Sequence, residues 1–454
     1  MAPGVLPMPF TGRILVFFGQ PGAAEPRFGP NWFNPEPIWS ILVSRMTETD
    51  VIPIDGETVQ VFPRQRTAPP VGTWMVQAVA DCGLARSVGN GAGNGMSMAV
   101  KWNTSMDAPE LVIDKLIAEP TFTKSDRVEA FSIQSRRLTS FAMRPVMLNC
   151  AIIYPEGWSP TKSWPVLYEI PGFGGRHYGT RRGGNAIDKV PIVRVVLDAD
   201  CPGGHHVFAD SANNGPYGEA LIKELIPAVE RKVNGPKSAS GRLLKGHSSG
   251  GWSSLWLQVR YPDMFGGVWS TSPDPVDFHD FQRINLYEHE NMFFDPQGKL
   301  RPIARQGEEP VVWYRDFSDM EVPLGRGEQL GSFEAAFSPR GQDGQPERLW
   351  NRASGQINHR VAAAWKPYDI CDRLERNWKQ LAPKLKGKLH VYTGSLDSFY
   401  LEGAVGRLQT RLAKLGSDAK VEVIPGKDHG SVMDTKMLQR IADEIGSAVR
   451  SAGF

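Results

Sequence analysis

Hydrophobic and polar positions change their rhythm once along the chain. Up to about residue 125 the apolar residues come in short runs, at 12–18, 38–43, 58–62 and 73–80, each bordered by Gly, Pro or Asp. Runs of that length with such borders predict β-strands, and long helical periodicity is absent. A short helix is expected only around 108–118, stopped by Pro120. After about residue 126, apolar runs alternate with amphipathic stretches. Strands are expected at 145–154, 164–170, 192–197, 243–246, 267–270, 388–393 and 420–424, and helices at 218–231, 249–259, 400–415 and 432–449. The run at 192–197 is almost wholly apolar, as a strand buried on both faces should be. The helix at 218–231 puts Ala220, Leu221, Leu225, Ile226 and Val229 on one side. This βαβ alternation predicts a largely parallel sheet with helices on both faces.

Between 275 and 367 the alternation breaks into Gly- and Pro-rich turns, many charges and isolated aromatics. The expected organisation is a β-rich accessory domain at 1–125 and an α/β catalytic domain at 126–454, with 275–367 as an insertion or lid. Aromatic side chains give large, rigid contact area in concave sites. Phe293, Phe294, Trp313 and Tyr314 are therefore candidates for a substrate wall. The rival reading is a decorated surface loop packed by its own aromatics.

Composition narrows the classes. With 41% hydrophobic and 22% charged residues in 454, the bulk of the chain is not disordered. The 47 glycines and 36 prolines point to many turns and long loops. Lys plus Arg is 51 against 49 for Asp plus Glu, so no electrostatic footprint for nucleic acid or anionic membrane exists. The pairs Arg136-Arg137 and Arg181-Arg182 read as solvated surface. No run of eighteen apolar residues is present, so no membrane span is expected. The opening MAPGVLPMPFTGRILVFFG lacks a basic region followed by a clean apolar stretch. The expected location is soluble, either cytoplasmic or secreted with its signal absent from this chain. Cys82, Cys150, Cys201 and Cys371 form no CxxC pair, which argues against a zinc knuckle and leaves one disulfide open. The GNGAGNG stretch at 89–95 lacks the Gly-Lys-Ser/Thr ending of a phosphate loop. His205-His206, with Asp198 and Asp200 nearby, lacks a metal-ligand spacing. No metal and no cofactor is expected, and oligomerisation is left open.

One motif carries chemistry. Gly246-His247-Ser248-Ser249-Gly250-Gly251 matches G-x-S-x-G between an apolar strand and a helix. A nucleophilic serine must project from a tight turn, where side chains at Gly246 and Gly250 would clash with the incoming helix. A hydroxyl also needs a base, and the topology expects an acid and then a histidine downstream. His429, after the strand at 420–424, is the candidate base, with His359 and His390 as weaker alternatives. Asp397, after the strand at 388–393, is the candidate acid, ahead of Asp428, Asp369 and Asp372. The loop Pro171-Gly172-Phe173-Gly174-Gly175 follows another strand and is poor in side chains. Its Phe173 N–H and the Ser249 N–H are candidate oxyanion donors, with Gly172 and Gly174 letting the backbone turn.

These blocks resemble the putative-esterase (esterase D / feruloyl esterase-like) branch of the α/β-hydrolases, which includes S-formylglutathione hydrolase, feruloyl esterases and mycolyltransferases. The likeness covers about 126–450 apart from the insertion. It rests on VLYEIPGFGG at 166–175, GPYGEALIKELIPAVER at 215–231, the serine motif, Asp397 and His429. Pro171 departs from it, standing where many relatives carry His. The resemblance implies an α/β-hydrolase fold and acyl-ester hydrolysis or transfer without metal or cofactor. The expected function is a serine carboxylic-ester hydrolase acting through an acyl-enzyme, on a small-molecule or glycosidic ester with aromatic or bulky groups. A serine peptidase or an acyltransferase of the same fold is the alternative, and a non-enzymatic interaction protein ranks below both.

Overall fold

The computed structural model describes all residues except 56–58, 65–67, 69–70, 86 and 180–185; Thr58, Arg181 and Arg182 thus lie outside the described residues. Among the described residues seven strands precede residue 117: β1 Phe10–Gly19, β2 Ile38–Met46, β3 Gln60–Phe62, β4 Thr73–Asp81, β5 Gly95–Ser97, β6 Val100–Asn103 and β7 Ile113–Leu116. They form one antiparallel sheet of order β3-β2-β1-β4-β5-β7, with β6 also paired to β4. The helix expected around 108–118 is strand β7 instead. Ile113 and Ile117 are buried four residues apart, a spacing that suits one helical turn. Pairing of Ile113–Leu116 with β5 overrides that local signal.

Eight further strands form the second sheet: β8 Val128–Gln134, β9 Met147–Ile153, β10 Val166–Ile170, β11 Val193–Leu197, β12 Arg242–His247, β13 Gly267–Thr271, β14 Leu389–Gly394 and β15 Lys420–Ile424. Their spatial order is β15-β14-β13-β12-β10-β11-β9-β8. Only β9 runs against the rest, since it pairs antiparallel with both β8 and β11. The edge strand β8 and the helix Arg136–Ala142 were not expected, because β8 is mostly half-exposed and its apolar signal is weak. The helix expected at 218–231 runs from Tyr217 to Val233 with a π-turn at Leu221–Leu225. One sheet face is covered by the helix Thr435–Ser451, whose Ile441 and Ile445 pack with Leu167, Leu243 and Trp269. This is the α/β-hydrolase architecture: helices on both faces of a mostly parallel sheet.

The segment expected as an insertion folds into a hairpin, Pro302–Gln306 with Glu309–Trp313, and the helices Tyr314–Leu324, Gln329–Phe337 and His359–Trp365. The largest apolar core runs without a break from Leu15, Phe17 and Val79 through Tyr168 and Trp252 to Phe333 and Trp365. The first sheet is therefore packed onto the rest of the molecule. Polar ties reinforce the seam. Ser40 Oγ donates to Pro323 O at 2.7 Å, and Arg326 grips both oxygens of Asp81 at 2.8 and 2.9 Å. All four cysteines are free thiols. Among the described residues no helix is long and apolar enough to cross a membrane.

Candidate active site

Strand β12 ends at His247 and the helix Ser249–Arg260 starts two residues later, so Ser248 must reverse the chain alone. It does so at φ 59°, ψ −126°, a backbone conformation that side chains rarely adopt. The flanking glycines are sterically required. A Cβ on Gly246 would lie 1.9 Å from Gly250 O, and one on Gly250 would lie 2.0 Å from Ile170 O. Strand β10 and the new helix can approach so closely only without those atoms.

Asp397 and His429 come from the loops after β14 and β15, two strands along the same sheet edge. Asp397 is fully buried, and its Oδ2 lies 2.9 Å from His429 Nδ1. Its Oδ1 accepts the Phe399 N–H at 2.9 Å. The two loops interlock: Leu396 N–H donates to Lys427 O at 2.9 Å, and a Cβ on Gly394 would lie 2.0 Å from Lys427 O. Arg305, on the hairpin at 302–313, braces the Asp397 loop from outside. Its guanidinium donates to Asp397 O at 2.9 Å, to Ser395 O at 3.2 Å and to Glu402 Oε1 at 2.7 Å. Burial opposes protonation of His429. The hydrogen bond and charge of Asp397, with smaller contributions from Asp274 and Asp428, outweigh that and raise its pKa. The neighbouring His247 ring, centred 4.7 Å from that of His429, is pushed down to about 4 by burial and by His429. It stays neutral wherever His429 titrates.

The glycine loop after β10 lies against the serine. A Cβ on Gly172 would sit 3.3 Å from Ser248 Cβ and 3.9 Å from its Oγ. Gly175 N–H closes the turn onto Gly172 O at 3.0 Å, with Gly174 at φ 78°. His205 supports the loop, its Nε2 lying 3.0 Å from Pro171 O, while His206 is buried in a stack on Tyr217.

Ser248, His429, Gly172 and Phe173 line one cavity of about 290 Å³. Trp32 and Phe33 reach it from the first sheet's loop, Ile303, Ala304 and Val312 from the hairpin, and Phe317, Leu330 and Phe333 from the helices Tyr314–Leu324 and Gln329–Phe337. Phe399 and Leu401 close the side next to Asp397. Polar lining comes from His247, Asp274, Gln282 and Gln329.

The wall differs from expectation. Phe293, Phe294, Trp313 and Tyr314 do not line this cavity. Phe293 is buried against the turn at Gly355, and Phe294 bridges to Leu300. Trp313 ends the hairpin, and Tyr314 is buried, donating its hydroxyl to Gln282. The helix that Tyr314 opens does reach the cavity, through Phe317 and not through Tyr314. Trp32 carried no signal beyond being an aromatic in a Pro- and Gly-rich loop.

The weaker alternatives have other occupations. His390 stacks on Trp269 inside the sheet, and His359 is exposed beside Glu290. Asp428 accepts the Gly430 and Ser431 amides, and Asp369 caps the helix Ile370–Leu385. Among the described residues, one group has metal-ligand proximity, Asp277, His279 and Asp369. Arg407 and Arg411 already pair with Asp277, and the Phe278 N–H and Tyr287 hydroxyl with Asp369. The protein's own donors satisfy that group.

Comparison with known proteins gives a family. The family model described as "Putative esterase" matches residues 147–429. No curated protein matches the sequence. Solved structures similar to the chain include a ferulic acid esterase, with 12% identity over 71% of this chain and 98% of that one and a TM-score of 0.43. An S-formylglutathione hydrolase from Agrobacterium tumefaciens shows 15% identity over 72% and 95%, with a TM-score of 0.42. FphF of Staphylococcus aureus, a fluorophosphonate-binding serine hydrolase, shows 14% identity over 71% and 98%, with a TM-score of 0.41. The family match covers more than half of the chain, and this chain belongs to that esterase family, as a carboxylesterase-type enzyme of the α/β-hydrolase fold.

Proposed function

We propose that the chain is a serine carboxylic-ester hydrolase that works through an acyl-enzyme on Ser248. The observation that carries this reading is the buried Asp397 held 2.9 Å from His429 Nδ1, with His429 and the strained Ser248 on one cavity. Asp397 fixes the imidazole tautomer, leaving Nε2 as the acceptor. As Ser248 Oγ attacks the ester carbonyl carbon, its proton passes to His429 Nε2. The Phe173 and Ser249 amides receive the tetrahedral oxyanion, each worth about 3–4 kcal/mol by analogy with a measured serine hydrolase. His429 then protonates the departing alcohol. Water attacks the acyl-enzyme with His429 again as base, releasing the acid and restoring Ser248.

The substrate class follows from the walls. Trp32, Phe173, Phe317, Phe333 and Phe399 surround the nucleophile with rigid apolar surface. That lining suits an aromatic or bulky ester better than a small polar one. The test is turnover of p-nitrophenyl esters by wild type and Ser248→Ala. The expected result is a loss of about 10⁴-fold or more in kcat with the fold intact. Retained turnover in the variant overturns the reading.

A further inference from the structure

The mechanism above leaves Asp274 and Gln329 without a part. Asp274 follows strand β13 and is 5% exposed, yet it lines the cavity beside Ser248. Its own N–H donates to Ser248 O at 3.3 Å, so its place relative to the nucleophile is set by backbone. Its Oδ2 accepts the Ser249 hydroxyl at 2.5 Å and Gln329 Nε2 at 3.5 Å. Gln329 Nε2 also reaches Ser249 Oγ at 3.4 Å. That uses the donors at hand. Among the described residues no hydrogen bond reaches Asp274 Oδ1, and Gln329 Oε1 is buried with no partner. Among the described residues no lysine or arginine lines this cavity. Burial pushes the Asp274 carboxyl up to about 6, with the Ser249 hydroxyl opposing, as expected for a carboxylate short of donors.

A carboxylate oxygen without a donor at the cavity, and a buried amide oxygen without one behind it, beside polar lining from Ser248, His247, Gln282 and His429, fit a ligand that brings the donor. Buried polar groups are normally paired, because an unpaired one loses its hydration for nothing. Gln329 is held in place for this. It begins the helix Gln329–Phe337, whose next two amides, of Leu330 and Gly331, donate to Glu321 at 2.8 and 3.0 Å.

We propose that Asp274 and Gln329 form a polar subsite that selects esters carrying a hydrogen-bond donor, a hydroxyl or an ammonium, close to the scissile carbonyl. The inference rests on the serine-esterase reading and adds its substrate class. A site built to hydrogen-bond a substrate group rejects the analogue lacking it more strongly than an apolar pocket rejects a missing methylene.

The experiment compares four esters of similar size by proton release: ethyl butyrate, ethyl 3-hydroxybutyrate, ethyl 3-aminobutyrate and 2-hydroxyethyl butyrate. Each kcat/KM is divided by the rate of hydroxide hydrolysis of the same ester. The three donor-bearing esters separate a hydroxyl from an ammonium, and the acyl side from the alcohol side. At least one should exceed ethyl butyrate about 10- to 100-fold, the size of one hydrogen bond to a charged group. In Asp274→Asn that ratio should fall at least about fivefold, most for the ammonium ester, and in Gln329→Leu by less. If Asp274→Asn does not fold, the ratio in Gln329→Leu decides. Ratios within threefold of one for all three esters, while ethyl butyrate turns over and a fluorophosphonate labels Ser248, overturn the subsite and leave the esterase reading standing. So does a ratio that neither variant changes. No turnover of any ester together with no Ser248 adduct overturns the esterase reading and this inference with it.

Discussion

The sheet edge that bears Ser248, Asp397 and His429 and the wall that encloses them are held by different kinds of contact. Along the edge, each residue stands a few positions past the end of a strand, and backbone fixes it. Glycines sit where a Cβ has no room, and the acid and base loops lock through Lys427 O. The wall is assembled from segments far apart in sequence: Trp32 near the start, the hairpin at 302–313 and the helices that carry Phe317 and Phe333. It depends on side-chain packing, with Trp32 centred 5.6 Å from Phe173 and 5.2 Å from Phe317. The edge is encoded locally and the wall is not. Changes at the edge should therefore alter rate, and changes in the wall should alter which ester is accepted.

The sharpest break of the edge is Asp397→Asn. We expect kcat to fall about 10⁴-fold, as when the acid of a comparable triad is neutralised. The pH profile should move too. Protonated His429 cannot accept the serine proton, so kcat/KM rises with pH through its pKa, which lies above the ordinary 6.5 in the wild type. Without the Asp397 charge that limb should shift to lower pH. An unmoved limb breaks the pairing.

Gly172→Ala is the next largest effect. Its Cβ would meet His247 O at 3.2 Å and Ser248 Cβ at 3.3 Å, so the nucleophile or the loop must give way. A loss of about 10²-fold in kcat is expected, with thermal stability nearly unchanged. Arg305→Ala probes where the wall touches the edge. Removing the brace on the Asp397 loop should lower kcat about tenfold with little change in KM for a small ester. A purely raised KM would place Arg305 in the wall alone.

Trp32→Ala should leave acetyl-ester kinetics near wild type and raise KM for naphthyl or longer acyl esters several-fold, about the loss of a part-buried ring. Equal effects on small and large esters would dissolve the division between edge and wall. The smallest effect concerns stability. Burial pushes Glu321 up to about 8 from 4.5, repulsion by Glu328 adds to it, and the Leu330 and Gly331 amides oppose it. A folded-state pKa above the unfolded one gives stability that is full below about pH 4.5 and lost as pH rises through about 8. Glu321→Gln should flatten that decline, by about 2 °C or more in Tm across the window.

The same division explains what could be read from the sequence. Strands β10, β12, β14 and β15 are short apolar runs with clear borders, and the residues that follow them are the ones to which we assign the chemistry. Ser248, Asp397 and His429 could be singled out as candidates one loop at a time, because a strand end and a turn are local signals. Strand β7 was hidden because Ile113 and Ile117 fit a helical period as well as a strand end. Its pairing with β5 is a long-range fact. The aromatics of 275–367 were visible, but which of them face the cavity depends on how the helix Tyr314–Leu324 rotates against the first sheet. Trp32 reaches the site only through tertiary packing.

The measurement that tests the central claim most directly is trapping of the acyl-enzyme. Rapid mixing with a p-nitrophenyl ester, acid quench and peptide mapping by mass spectrometry should show a pre-steady-state burst of nitrophenol. One acyl adduct should appear on the peptide containing Ser248, accumulating further in acid-limited deacylation and absent from Ser248→Ala. A burst with the adduct on another residue, or steady turnover with no covalent species under conditions where deacylation is slowed, would contradict the account.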